Sequence, residues 1–403
     1  MALPVRAPWP PSVHDEGPSL ADAAPLRRLR LAARGVLLAV LALVMVGSGL
    51  VVLGIETSAT GTGGFLIGVA LALLPLPVVL AAFRWVDRYE PEPRGLLAFA
   101  FFWGATVAAL VAAVLNTASA VVVARTAGAD AGLATTAVAV APWVEEGAKG
   151  AAILAVFLFR RREFDGIVDG IVLAGFTGVG FAFTENILYF GRAFLAGHQE
   201  LGLTGGLFAA GVTFVLRGVL APFAHPLFTT MTGIGLGIAA RGRGFPARVL
   251  APLAGYLLAV TLHAAWNYAS LSGLLGFFVG YVALMVPAFL VVAIVATWSR
   301  RREAATLATW LPLYAQAGWL ADEDVAMITS MARRRQAVGW AKRTYGAAGA
   351  KALRDFQHAA TELAFLRDRV ERGHDVPDFA ARERELLARL RQARAAVTHP
   401  RSR

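Results

Sequence analysis

Glu145 and Glu146 stand side by side in Trp143-Val144-Glu145-Glu146-Gly147-Ala148-Lys149-Gly150, inside an apolar stretch from about Gly132 to Leu158. A carboxylate in the middle of a membrane helix is expensive unless paired or wetted, so an intramembrane acid marks a functional site by default. Three other apolar segments answer it with Glu185-Asn186, with His225, and with His263 and Asn267. Consecutive helical residues point about 100° apart, so one of the two adjacent glutamates is expected to do chemistry while the other orients or pairs. Lys149 lies four residues after Glu145 and three after Glu146, within reach of either on a helix. Burial and a like-charged neighbour make a carboxylate more basic, which is what a general base at neutral pH requires. His263 and Asn267 share a helical face, where a neutral imidazole and a carboxamide suit either a metal-bound water or donation to a developing oxyanion.

Each group also has a plainer reading. Glu145 and Lys149 could form a structural ion pair, and His263 could be an interhelical donor. Asn186 and Asn267 would serve as interhelical glue, and Trp266 as an interfacial aromatic. Arg217 either snorkels outward or pairs with Glu185. Their convergence at one depth outweighs any one of these readings.

The rest of the chain must position those residues in a bilayer. Of the 403 residues 57% are hydrophobic and only 16% charged, and the mean hydropathy is +0.60, which points to a polytopic all-α membrane protein. The chain has no cysteine, which excludes disulfides, thiolate zinc sites and cysteine nucleophiles. Apolar runs at about 35–55, 64–83, 96–124, 132–159, 166–190, 206–240, 249–270 and 274–298 predict about eight spans. Arginines support this order, because short cytoplasmic loops hold the positive charge. Arg84, Arg88 and Arg94, then Arg160, Arg161 and Arg162, then Arg241, Arg243 and Arg248, then Arg300, Arg301 and Arg302 fall in alternate loops. Both termini are therefore expected in the cytoplasm. The run at 206–240 exceeds one bilayer crossing, and Pro222 and Pro226 around His225 predict a break there. The resulting topology puts all four polar groups between the midplane and the outer third.

Outside the spans, residues 1–33 are expected to form a disordered cytoplasmic leader, and the apolar run after Arg34 is too long for a signal peptide. Residues 34–298 form the bundle and 299–403 a basic cytoplasmic helical region, with 20 Lys and Arg against 12 Asp and Glu from Arg300 onward. Within it Leu363, Leu366 and Val370, then Leu386, Leu387 and Leu390, have helical spacing, separated by a turn at His374-Asp375-Val376-Pro377. The basic excess would suit anionic lipid or an acidic partner, but a helical hairpin packed on itself is the simpler reading.

Glu145-Glu146-Gly-Ala-Lys149, Phe181-Ala-Phe-Thr-Glu185-Asn186, His225 followed by Gly233, Gly235 and Gly237, and His263-Ala-Ala-Trp-Asn267 occur in that order on separate spans. This series resembles the motifs of the PrsW-type intramembrane proteases, within the group that includes CAAX prenyl endopeptidases and bacteriocin-processing enzymes. Asp87-Arg88-Tyr89-Glu90-Pro91-Glu92-Pro93 is similar to the family's first cytoplasmic loop, and Phe164-Asp165-Gly166-Ile167-Val168-Asp169-Gly170 to its approach to the next motif helix. The resemblance covers about residues 64–298. Where the CAAX endopeptidases carry a histidine after the phenylalanine motif, this chain has Glu185.

The resemblance implies an endopeptidase of the bacterial inner membrane that cuts a membrane-anchored, anti-sigma-factor-like substrate on its extracytoplasmic side, with no nucleic-acid partner. It also implies that Glu145, Glu146 and His225 are essential, that Glu185, His263 and Asn267 are the remaining polar positions, and that Lys149 and Asn186 support them. The family's metalloprotease label implies a divalent metal, expected here to be zinc, which would fall to His225, His263 and Glu185. The expected chemistry is hydrolysis by a water that Glu145 or Glu146 deprotonates, with His225, His263 and Asn267 either holding that metal or acting directly as proton donor and oxyanion stabiliser. Two readings from other classes are an ion- or proton-coupled transporter and a non-catalytic membrane scaffold. No internal repeat of the kind transporters carry is visible.

Overall fold

Glycine and alanine recur along residues 166–181, and that composition decides which helix sits at the centre. The computed structural model describes residues 24–398 apart from 162, 374, 375 and 377. The expected leader before residue 24 and most of the turn at His374–Pro377 lie outside it. Among the described residues every regular element is helical: α1 (Ala24–Leu73), α2 (Leu76–Val86), α3 (Arg94–Phe102), α4 (Ala109–Ala127), α5 (Ala129–Thr135), α6 (Ala141–Phe159), α7 (Ile167–Phe214), α8 (Ala224–Arg241), α9 (Ala251–Leu271), α10 (Gly273–Gly280), α11 (Val286–Gln316), α12 (Asp322–Ile328), α13 (Met331–Glu371) and α14 (Phe379–Thr398).

The first half of α7 is enclosed on all sides, with every residue from Val168 to Phe181 buried. Its glycines admit neighbouring backbones. A Cβ on Gly180 would lie 1.9 Å from the Phe101 carbonyl of α3, and one on Gly170 would lie 2.0 Å from the Gly233 carbonyl of α8. Lipid tails are as apolar as leucine, so membrane helices associate through such close packing of small residues. Large apolar side chains such as Leu43, Phe208 and Leu275 stay exposed on the outside of the bundle, as a lipid-facing surface allows.

Breaks in the helices direct the chain around this centre. Within α7 the backbone leaves helical geometry at Leu201 and Gly202 (φ +65°), and Gly197 and Gly205 then meet backbone to backbone, so α7 folds into two antiparallel limbs. The break expected near Pro222 falls at residues 221–223, after a π-helical turn at Val215–Leu220. It leaves His225 in the first turn of α8. A second π-helical turn, Thr136–Val140, precedes α6, whose Pro142 sits at the helix start, where its missing N–H costs nothing.

Among the described residues five helical runs are long and apolar enough to cross a bilayer: Gly35–Val86, Arg94–Ala127, Ile167–Arg241, Pro246–Leu271 and Gly273–Gln316. Eight separate spans are not resolved. Two of the five runs contain the breaks at Gly61 and at Leu201–Gly202, and α6 is not among them, its apolar character diluted by Glu145, Glu146 and Lys149.

The chain divides into two units, one holding Glu92–Thr297 and the helices before Arg88, the other holding Arg88–Pro91 and the chain from Trp298 on. In the second unit Leu363 and Leu366 of α13 and Leu386, Leu387 and Leu390 of α14 are buried with Leu307, Leu311 and Tyr314. Each such leucine contributes roughly 2 kcal/mol when fully removed from water. The Tyr314 hydroxyl donates to Glu383 Oε1 at 2.6 Å.

Candidate active site

The two glutamates of α6 diverge as adjacent helical positions must, and they meet different partners. Glu146 is 0% exposed. Its Oε1 accepts from Lys149 Nζ at 2.6 Å and lies 3.0 Å from His263 Nδ1, while its Oε2 accepts from Thr229 Oγ1 at 2.9 Å. That carboxylate has donors on both oxygens. Glu145 has fewer: Oε1 accepts from Asn116 Nδ2 at 3.1 Å, whereas Oε2 is buried with no hydrogen-bond partner. This free oxygen lies 3.7 Å from His263 Nε2 and 3.9 Å from Lys149 Nζ.

Lys149, also fully buried, links the pair to α8. Its ammonium sits 3.2 Å from His225 Nδ1 and 4.2 Å above the Phe181 ring. An ammonium only donates, so Nδ1 must accept and the His225 proton is placed on Nε2. That nitrogen is 2.7 Å from Glu185 Oε2. Glu185 is in turn paired with Arg217, whose Nε donates to Asn186 Oδ1 at 2.9 Å and whose guanidinium covers the Tyr189 ring at 3.8 Å. Glu146, Lys149, His225, Glu185, Arg217 and Asn186 thus form one connected network across α6, α7, the π-helical turn Val215–Leu220 and α8. His263 joins it from α9, stacked on Phe228 with ring centres 5.1 Å apart. Asn267 stands apart from it, its Nδ2 donating at 2.8 Å to the Ala137 carbonyl in the π-helical turn before α6.

A cavity of about 850 Å³ opens beside this network. Glu145, Glu185, Asn186, Arg217, His225 and Asn267 border it; Glu146 and Lys149 stay behind the wall. Donor atoms of Glu145, His225 and His263 lie within 4.8 Å of one another, a carboxylate and two imidazoles that match a familiar zinc donor set. Two observations fit a metal there. Glu145 Oε2 is an orphaned buried acceptor, and His263 can give Nδ1–H to Glu146 while leaving Nε2 free, the carboxylate–histidine support usual behind a ligand imidazole. Glu185 does not belong to that group of three; its Oε2 contacts His225 Nε2 at 2.7 Å.

Sequence reasoning did not single out Asn116 and Thr229. Asn116 is the carboxamide of the apolar stretch 96–124, and Thr229 follows His225 by four residues, on the same helical face. Those spacings were the available signal, but polar residues in spans more often serve as interhelical glue.

A family model for the PrsW family intramembrane metalloprotease matches residues 92–293. Protease PrsW of Oceanobacillus iheyensis is 28% identical over 145 residues, which is 36% of this chain and 57% of that protein, so the match spans little more than half of the relative's length. No solved structure matches.

Proposed function

The chain belongs to the PrsW family of intramembrane metalloproteases, and from that premise we propose that it is an intramembrane endopeptidase that hydrolyses a peptide bond of a membrane-anchored protein at the Glu145 cavity. The observation that supports it most is the unsatisfied Glu145 Oε2, buried at the cavity and 3.7 Å from His263 Nε2. A buried acceptor without a donor is costly, and a water or an ion-bound water beside it would remove that cost.

In this reading Asn116 fixes the Glu145 carboxylate through Oε1, Oε2 takes a proton from the attacking water, and the same oxygen returns it to the leaving amine. Glu146 is the anchor, not the base, since its oxygens are already engaged. It neutralises Lys149 and fixes the His263 ring. The second N–H of Asn267, at the cavity border, is the donor for the carbonyl oxygen as charge develops on it, while the Nε2–H of His225 is given to Glu185 and holds that ring in place. In the alternative form of the same reading Glu145 Oε2, His263 Nε2 and His225, once Lys149 releases its Nδ1, would instead hold a divalent ion, zinc by their donor types, and that ion would supply Lewis acidity to the water and the carbonyl. The substrate is an anti-sigma-factor-like protein cut on its extracytoplasmic side, and the location is a bacterial inner membrane with both termini in the cytoplasm; the motif resemblance supports the substrate and the membrane, and the alternation of arginine-rich loops supports the termini.

Co-expression with a doubly tagged single-span reporter of that class tests the reading. Wild type should release a fragment ending near the extracytoplasmic membrane boundary, and Glu145→Gln or His225→Ala at matched protein levels should not. A reporter left intact by wild type, or cut equally by the variants, contradicts it.

A further inference from the structure

Glu56 is another carboxylate on the cavity wall, and nothing in the mechanism above uses it. It lies in α1, is 5% exposed, and borders the cavity together with Val52, Asn116 and Glu145. Val52, one turn earlier, belongs to the same buried apolar cluster as Phe181, the ring that carries Lys149 and lies 5.1 Å from the His225 ring. Glu56 therefore shares its cavity with Glu145 and lies one helical turn from a residue of the apolar cluster that contains Phe181.

Its surroundings differ from those of its neighbours. Glu145 has Asn116, Glu146 has its three donors, and Glu185 has Arg217 and His225. The Glu56 side chain makes no hydrogen bond or ion pair with any described residue; only its backbone carbonyl is used, by Thr60 Oγ1 at 2.8 Å. The cavity's own cations do not serve it, since Arg217 is held by Glu185 and Asn186 and Arg192 is exposed. An acid buried in a bundle without a partner is costly to keep. An occupant of the cavity that brings a cation would remove the cost. Ala109, Ala112 and Ala113 line the cavity as well, a smooth apolar wall suited to the aliphatic stem of a lysine or arginine. Glu56 also precedes residues 92–293, the region the family model matches.

We propose that Glu56 is a specificity-determining residue that receives the ammonium or guanidinium of a lysine or arginine carried by the bound substrate segment. The inference rests on the protease reading for the identity of the occupant as a membrane-anchored peptide. A charge-assisted bond is stronger and shorter than one to a neutral amide, so the site should favour lysine over glutamine at one substrate position.

The test uses the full-length protein in lipid nanodiscs and a series of fluorescent single-span peptides in which one position at a time is lysine, glutamine, leucine or glutamate. At one position wild type should bind the lysine peptide about 10-fold tighter than the glutamine peptide, or about 1.4 kcal/mol. Glu56→Gln should bring that ratio to near unity, Glu56→Asp should keep part of it, and Glu56→Lys should favour glutamate. The proposal is overturned if no position shows a lysine preference in wild type, or if the preference survives in Glu56→Gln. Cleavage of the same peptides is scored separately. A lysine preference in binding without any cleavage would defeat the protease reading and leave Glu56 in place, whereas cleavage without a lysine preference would do the reverse.

Discussion

Adjacent positions on a helix face neighbours about 100° apart, and for Glu145 and Glu146 those neighbours differ in kind. Removing the Glu146 charge leaves Lys149 buried without its anion, and breaking a buried pair from one side costs about 3–5 kcal/mol. Glu146→Gln is therefore expected to lower the melting temperature of the protein in detergent or nanodiscs sharply, while Glu145→Gln should leave it near wild type. Thr229→Val removes one donor from Glu146 Oε2 and should cost about 1–3 kcal/mol by the same assay. Elemental analysis checks the metal assignment: wild type should carry about one zinc per chain under the carboxylate and two-imidazole reading, and His263→Ala should carry much less. Full activity after exhaustive chelation would refute it. Glu145, Glu146, Lys149, Glu185, His225 and His263 could be picked from sequence because ionisable groups in apolar runs are conspicuous. Asn116 and Thr229 could not, because asparagine and threonine are ordinary in spans and only the packing of α4 and α8 against α6 brings them to a carboxylate.

At the scale of the element, α7 is positioned by what its glycines leave out. A methyl at Gly180 would lie 1.9 Å from the Phe101 carbonyl, and overpacking of this kind costs about 1–3 kcal/mol or more. Gly180→Ala should therefore reduce folded yield and thermal stability, whereas Gly211→Ala, which meets nothing within 4 Å, should not. The glycines at 233, 235 and 237 were visible as a motif, yet their partners were not, since the approach of Gly233 to Gly170 joins positions far apart in sequence. The break before His225 was legible from Pro222 because proline removes a helical donor. Span number was harder to read, since runs joined through Gly61 and Gly202 show hydropathy but not where the backbone turns.

At the scale of the whole molecule, Asp87 makes stability depend on pH. It is 5% exposed, and burial raises its carboxyl to about 7, against the lowering effects of the Glu92 backbone N–H and Arg84. The folded state therefore binds this proton more tightly than the unfolded chain, whose aspartate titrates near 3.8. The stabilisation is complete at low pH, declines as pH rises from about 4 to about 7, and is absent above that. Asp87→Asn, measured by thermal unfolding in nanodiscs from pH 5 to 9, should flatten that part of the profile; an unchanged slope would contradict the assignment. The second unit carries its own polar core contact, and Tyr314→Phe, which leaves Glu383 without its 2.6 Å donor, should cost about 1–3 kcal/mol.

Glu145 is the working carboxylate proposed for this site. The most direct measurement is the single-turnover cleavage rate of a membrane-anchored peptide by the purified full-length protein in nanodiscs, wild type against Glu145→Gln, with folding of both confirmed by melting temperature. Glu145→Gln is expected to fold like wild type and to lose at least about 100-fold in rate, the scale for removing a general base. A folded Glu145→Gln that cuts within a few-fold of wild type would contradict it.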